Sequence, residues 1–170
     1  CDSRYGLIDP AQVERRIGPR TRAIFAVDLY GQCAPWGAIV ELAERRNLLL
    51  LEDAAQAQGA SHEGRGIGAY SVGAATSFYP GKNLGAYGDA GGVVTNSDEL
   101  AARLRALRSY GSERKYHHPE IGFNSRLDTL QAVVLRAKLK RLDTWNRQRV
   151  AAAAVYDELL AGLPSVVRPE

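Results

Sequence analysis

"LLLLEDAAQAQGA", residues 48–60, decides the fold. Four consecutive leucines show neither a helical stripe nor a polar alternation, so Leu48 to Leu51 reads as a short strand buried in a sheet. The run stops on two carboxylates, Glu52 and Asp53, and then on alanines and a glycine that turn the chain. In open α/β sheets, ligands gather at the C-terminal ends of strands. A carboxylate there is held by the sheet and shielded from water. Gln56 follows three residues on, an amide able to donate and to accept.

The neighbouring stretches extend the pattern. Upstream, "PWGAIVELAERR" (35–46) sets Trp36, Ile39, Val40 and Ala43 on one helical stripe. "RAIFAV" (22–27) is a second buried strand, and Asp9-Pro10 before "AQVERRI" reads as an N-cap, a first-turn proline and a short helix. Downstream, Ala74–Phe78 and Gly91–Thr95 are two more strands, and "SDELAARLRALR" (97–108) is an amphipathic helix with a Ser cap. Helices alternating with strands that are apolar throughout predict an α/β sheet covered on both faces. From Arg126 the pattern turns helical only, over 126–142 and 143–162, as two long helices or one bent helix.

Composition narrows the class. At 45% hydrophobic and 24% charged, the 170 residues suit one globular domain. No apolar run approaches the ~20 residues of a membrane span. The net charge of +3 is spread along the chain, which favours anionic ligands slightly and gives no argument for nucleic acid. Two cysteines, Cys1 and Cys33, make no disulfide framework and point to a reducing cytoplasm. A chain that opens on Cys1 and holds no Met is expected to be a piece of a longer protein, with no leader visible.

The second chemical stretch is "SFYPGKN" (77–83), which leaves a strand at Ser77 and turns through Pro80-Gly81 to Lys82. An acid, an amide, a hydroxyl and an amine thus emerge from strand ends on one sheet edge. That set fits pyridoxal phosphate (PLP). The cofactor needs an amine for its Schiff base, and a dry pocket favours the neutral form of an amine. Its ring nitrogen needs a carboxylate, its phosphate needs hydroxyl and backbone donors, and its ring oxygen needs a donor such as an amide. Asp53, Ser77, Lys82 and Gln56 supply each once. The plain alternatives are a solvated lysine, a capping aspartate, a surface amide and a small core serine.

Three motifs in order, EDAAQAQGA (52–60), SFYPGKNLGAYGDAGGVVTN (77–96) and KYHHPEIGFNSRLDTLQA (115–132), resemble the DegT–DnrJ–StrS family of PLP-dependent nucleotide-sugar aminotransferases. The resemblance covers nearly the whole chain. It implies the large domain of fold type I PLP-dependent transferases (aspartate aminotransferase-like), a mixed, mostly parallel sheet flanked by helices. Residues 1–125 would be part of that PLP-binding domain. Residues 126–170 would be long helices leading toward a small C-terminal domain that lies beyond this chain, as does the upstream Gly-Thr phosphate turn.

The resemblance also assigns roles. Lys82 binds PLP and acts as the base, Asp53 pairs with the ring nitrogen, Gln56 bonds the ring hydroxyl, and Ala55 packs on the ring face. Ser77 contacts the phosphate, and Asn124 reaches the phosphate of a partner's cofactor across a homodimer interface. Glutamate and a keto-sugar nucleotide are the implied substrates. Lysine at position 82, where related dehydratases carry histidine, favours transamination. The KYHH and NSRLD wording is closest to members that aminate the third sugar carbon. Two other readings stay open: another fold type I enzyme, such as a dehydratase or cysteine desulfurase, and a non-catalytic regulatory homologue. His117 and His118 read as surface residues rather than metal ligands. Arg126 fits either a sugar-nucleotide phosphate or an ion pair at a helix start.

Overall fold

A computed structural model describes residues 1–168. In chain order the elements are α1 (Pro10–Arg16), β1 (Ala23–Val27), α2 (Trp36–Arg46), β2 (Leu49–Asp53), β3 (Ser61–His62), β4 (Arg65–Gly66), β5 (Gly73–Ser77), β6 (Gly91–Val94), α3 (Asp98–Leu107), α4 (Thr129–Leu139) and α5 (Leu142–Leu160). The main sheet runs β1-β2-β5-β6. Its first three strands are parallel, and β6 is antiparallel to β5. It is a mixed α/β architecture with a mostly parallel sheet. β3 and β4 form a small separate hairpin.

Local chemistry explains the helix ends. Asp9 Oδ1 accepts from Ala11 N at 2.9 Å and Gln12 N at 3.2 Å, and Pro10 opens α1. Asn47 stops α2 in a left-handed conformation with φ 51°. Ser97 caps α3 by accepting from Leu100 N at 3.1 Å.

The core lies between α2 and one sheet face. Trp36, Ile39, Leu42 and Ala43 of α2 pack with Ile24, Ala26 and Leu50 of β1 and β2. Burial alternates along β1 and β2 instead of being complete, and β6 is exposed throughout. Phe25, Leu49 and Val93 are 57%, 58% and 51% exposed on the other face. Coverage of both faces, as the sequence predicts, is therefore not what the described residues form. An all-apolar strand signals two apolar faces, but it does not say which segment covers each.

The helical region splits in two, with the break between Leu139 and Leu142. α4 begins at Thr129, three residues after the expected start at Arg126. Residues 169 and 170, the end of the predicted 126–170 region, lie outside the described residues. No helix among the described residues is long and apolar enough to cross a membrane.

Candidate functional site

The parallel strands bring Asp53 and Ser77 to one sheet edge. Val27, Asp53 and Ala75 are in register across β1, β2 and β5, so Asp53, Ala75 and Ser77 share a face. That face is the one away from the α2 core. Asp53 Oδ1 accepts from Ala55 N at 3.0 Å. This tight turn swings the chain through Ala55 to Gln56, so Asp53 has the capping role.

Gln56 is exposed, and its Oε1 accepts from Tyr30 N at 2.8 Å. The amide N–H2 end has no hydrogen bond among the described residues and is ready to donate. Tyr30 holds a left-handed backbone, φ 58°. Beside it, a Cβ on Gly31 would lie 3.3 Å from the Gln56 carbonyl oxygen, and Gly31 has φ +84°, so glycine is needed at this approach.

Lys82 stands in a self-closed loop. Lys82 N donates to Tyr79 O at 2.9 Å and Ala86 N to Phe78 O at 2.8 Å. A Cβ on Gly85 would collide with the Pro80 carbonyl, so the loop folds back only with glycine there. The lysine is half-buried, and among the described residues Nζ makes no hydrogen bond or ion pair. Side chains brace the loop from outside. Asn83 Nδ2 donates to Gln58 O at 2.8 Å and to Asn146 Oδ1 at 3.2 Å, Asn146 Nδ2 donates to Gln58 O at 3.0 Å, and Lys138 Nζ donates to Gly85 O at 2.6 Å.

Two clefts divide four of the predicted residues, and Asp53 and Ala55 line neither. Lys82 and Gln56 line one of about 560 Å³, with Tyr30, Gln58, Asn146 and Arg149. Ser77, Asn124 and Arg126 line another of about 700 Å³. Asn124 is exposed, and its Oδ1 accepts from Arg126 Nε at 3.2 Å. The Arg126 guanidinium lies 5.8 Å from the centre of the Tyr110 ring. Both histidines are exposed; His118 Nδ1 lies 3.0 Å from Tyr110 O.

The sequence reading missed a polar row beneath this edge, on the buried face. Asp28, Glu52, Gln58 and Thr76 are all buried. Gln58 Nε2 donates to Thr76 Oγ1 and to Ser77 O, each at 2.7 Å, and Thr76 Oγ1 donates to Ala54 O at 3.0 Å. Burial pushes the Asp28 carboxyl up to about 6 from 3.8; the Ala34 N–H that it accepts pulls it down, and Glu52 pushes it further up. Strand phase carries the missed signal: Ile24, Ala26 and Asp28 alternate with outward residues, as do Leu50 and Glu52.

The donors present match what PLP requires: an unpaired amine, a strand-end carboxylate, an amide with free N–H groups, and a hydroxyl. The sequence pattern of the DegT/DnrJ/EryC1/StrS aminotransferase family matches residues 1–170. A Streptomyces venezuelae protein named dTDP-3-amino-3,4,6-trideoxy-alpha-D-glucose transaminase is 57% identical over 162 residues, 95% of this chain and 43% of that protein. A Geobacillus stearothermophilus protein named Pleiotropic regulatory protein is 50% identical over 153 residues, 90% of this chain and 41% of that protein. The crystal structure of S. venezuelae DesV in complex with a ketimine intermediate superposes with a TM-score of 0.92 at 57% identity, covering 95% of this chain and 43% of that one. The chain thus spans less than half the length of these relatives.

Proposed function

We propose a function from one fixed premise: the chain belongs to the DegT/DnrJ/EryC1/StrS aminotransferase family. It is the cofactor-bearing part of an enzyme that moves an amino group from glutamate to the keto group of a nucleotide-linked sugar. The products are 2-oxoglutarate and the amino-sugar nucleotide. The name of the S. venezuelae relative supports the third sugar carbon as the position aminated.

One observation carries the reading. Lys82 Nζ has no ion pair or hydrogen bond among the described residues, yet it shares a cleft with Gln56, whose N–H2 group is also unpartnered. The half-buried amine is thus left available for bonding inside a cleft. PLP, when bound, supplies the electron sink that lets an amine pass between carbon skeletons. The chain's own residues do the rest. Lys82 holds the cofactor and moves the proton at the donor's α-carbon. Asp53 keeps the ring nitrogen protonated, Gln56 donates to the ring oxygen, and Ala55 packs against the ring. Ser77 and a second chain's Asn124 hold the phosphate, which makes a homodimer the working unit.

A regulatory reading draws support from the names of relatives, that of the G. stearothermophilus protein among them. The retention of Asp53, Gln56, Ser77 and Lys82 together weighs against loss of catalysis. The deciding experiment uses the full-length chain with glutamate and a panel of keto-sugar nucleotides, and follows 2-oxoglutarate. Cofactor binding with no transfer on any sugar would favour the regulator. Sulfur release from cysteine would favour a desulfurase.

A further inference from the structure

Asp28 and Glu52 are 0% and 2% exposed, and neither belongs to the cofactor-facing set. They stand on the same helix-covered face of the sheet. Ala26 pairs with Glu52, Asp28 lies two residues beyond Ala26, and Asp28 N donates to Asp53 O at 3.0 Å. Each carboxyl has one satisfied oxygen. Asp28 Oδ1 accepts from Ala34 N at 2.7 Å. Glu52 Oε2 accepts from Gly68 N at 2.9 Å and from Ser71 Oγ at 3.0 Å. The remaining oxygens, Asp28 Oδ2 and Glu52 Oε1, are buried and have no hydrogen-bond partner among the described residues. Two ionised carboxylates left this way in a dry interior repel each other and lose water without replacement.

We propose that one proton, shared between Asp28 Oδ2 and Glu52 Oε1, joins the two carboxyls, and that the joined pair positions the turn that faces the cofactor. Asp28 fixes the 28–34 loop through Ala34 N. That loop carries Tyr30, whose N–H orients Gln56, and Asp28 N holds the backbone of Asp53. Tyr30 keeps a left-handed backbone only because its surroundings over-determine it. Glu52 anchors the same pair to the 68–71 segment on the far side. Asp28 and Glu52 are thus positioning residues that act through Gln56 and Asp53.

The surrounding groups favour a shared proton. Glu52 opposes a charge on Asp28, while the Ala34 N–H and the Trp36 indole favour it. Burial, then Asp28 and Glu52, push the nearby Cys33 thiol up to about 11, so it stays neutral while Asp28 titrates. No lysine, arginine or histidine pairs with either carboxyl among the described residues. The folded-state value of Asp28 is raised, from 3.8 to about 6. Its stabilising contribution is therefore complete below pH 3.8 and lost as pH rises through about 6.

The test uses the full-length protein, first without cofactor, where the result does not depend on the aminotransferase reading. Asp28→Asn and Glu52→Gln each put a fixed N–H where the shared proton was. Each single variant is expected to fold, to lose the fall in denaturation midpoint over that pH range, and to lose a protonated-carboxyl infrared band present at about pH 5. The double variant sets two N–H2 groups face to face, because Ala34 N, Gly68 N and Ser71 Oγ fix both carbonyl ends. It is expected to be less stable than either single variant by more than additivity allows. A double variant as stable as the singles, or singles that keep the pH slope and the band, would overturn the shared proton. The positioning role rests on the proposed function and is read by titrating pyridoxal phosphate. Asp28→Ala should weaken binding about tenfold, and Asp28→Asn should restore it. If the alanine variant does not fold, the double amide variant takes its place. Unchanged affinity in the impaired variant would overturn positioning.

Discussion

The stretch that ends with α3 and the stretch from Ser109 to Leu160 treat their apolar residues in opposite ways. In the first, α2 buries Trp36, Ile39, Leu42 and Ala43, and exposed apolar side chains gather on the outer sheet face and its edge. In the second, α4 buries only Leu135 and α5 only Leu142, while Ile121, Leu130 and Leu159 are 95%, 79% and 72% exposed. The two meet through a small cluster, Leu84 and Ala86 with Leu135 and Leu142, and through Asn146 and Lys138. The first stretch holds most of the buried apolar residues, and with them Asp53, Gln56, Ser77 and Lys82. The second holds Asn124 and Arg126 and leaves apolar surface of the kind that marks association. Under the proposed function, chemistry falls to the first stretch and assembly to the second.

The sharpest way to break that division is at Lys82. In the full-length protein, Lys82→Ala should lower transamination by at least ~10²–10⁴-fold and remove the absorbance of the bound cofactor. Its unfolding free energy should shift by no more than about 0.5 kcal/mol, since the side chain makes no partnered contact. Mixed with an Asn124→Ala chain, the Lys82→Ala chain should recover part of the activity, because one site of each mixed dimer is then whole. A mixture with no recovery would place Asn124 in its own chain's site and end the division of roles.

Trp36 tests the self-sufficiency of the first stretch. At 1% exposure it is the largest fully buried side chain. Trp36→Ala should cost about 3–5 kcal/mol, read from denaturant unfolding, whatever the protein concentration. Leu159→Ala, in the second stretch, should shift stability by about 0.5 kcal/mol or less in a dissociated chain. A larger cost at high concentration alone would mark an interface.

The candidate residues were legible as strand-end positions: Asp53 closes β2, Ser77 closes β5, and Gln56 and Lys82 follow in the turns beyond. Sequence order gives those positions, but not the division of the residues between two clefts. The four strands of the main sheet were read to within two residues of their ends and the β3–β4 hairpin was not read; the outer face was misread, because apolar alternation and full burial look alike when every residue is apolar. The buried row of Asp28, Glu52, Gln58 and Thr76 was not read as a row. Glu52 was read as a strand-end carboxylate shielded from water, but joining it to Asp28 takes strand phase, which puts both on the α2 face. The start of α4 slipped from Arg126 to Thr129 because Asp128 holds an extended N-cap backbone, ψ 141°.

Asn146 tests the joint between the two stretches. Its side chain accepts from Asn83 Nδ2 and donates to Gln58 O, so it ties α5 to both walls of the Lys82 cleft. Asn146→Ala should cost about 1–3 kcal/mol by leaving buried polar groups short of partners. It should also loosen the Lys82 loop, read as faster amide exchange at residues 82–86 with α2 unchanged. Exchange that rises equally in α2 would show that the two stretches unfold as one.

The smallest effect separates the stretches at their helix starts. Ser97 caps α3 with a hydrogen bond from Leu100 N to its Oγ at 3.1 Å. Asp128 occupies the same position before α4, yet its side chain makes no capping bond. Ser97→Ala therefore removes a bond and should cost about 1 kcal/mol. Asp128→Ala removes only a favourable charge at a helix N-terminus, about 0.3–1 kcal/mol at low salt and less as ionic strength rises. Salt distinguishes the two, since a hydrogen bond between neutral groups is not screened and a charge–dipole contact is. Unfolding free energies of both variants at low and high salt give the answer. A Ser97→Ala cost that falls with salt as steeply as the Asp128→Ala cost would mean the cap at α3 works by charge, through Asp98 and Glu99 of its first turn, and not by its hydroxyl.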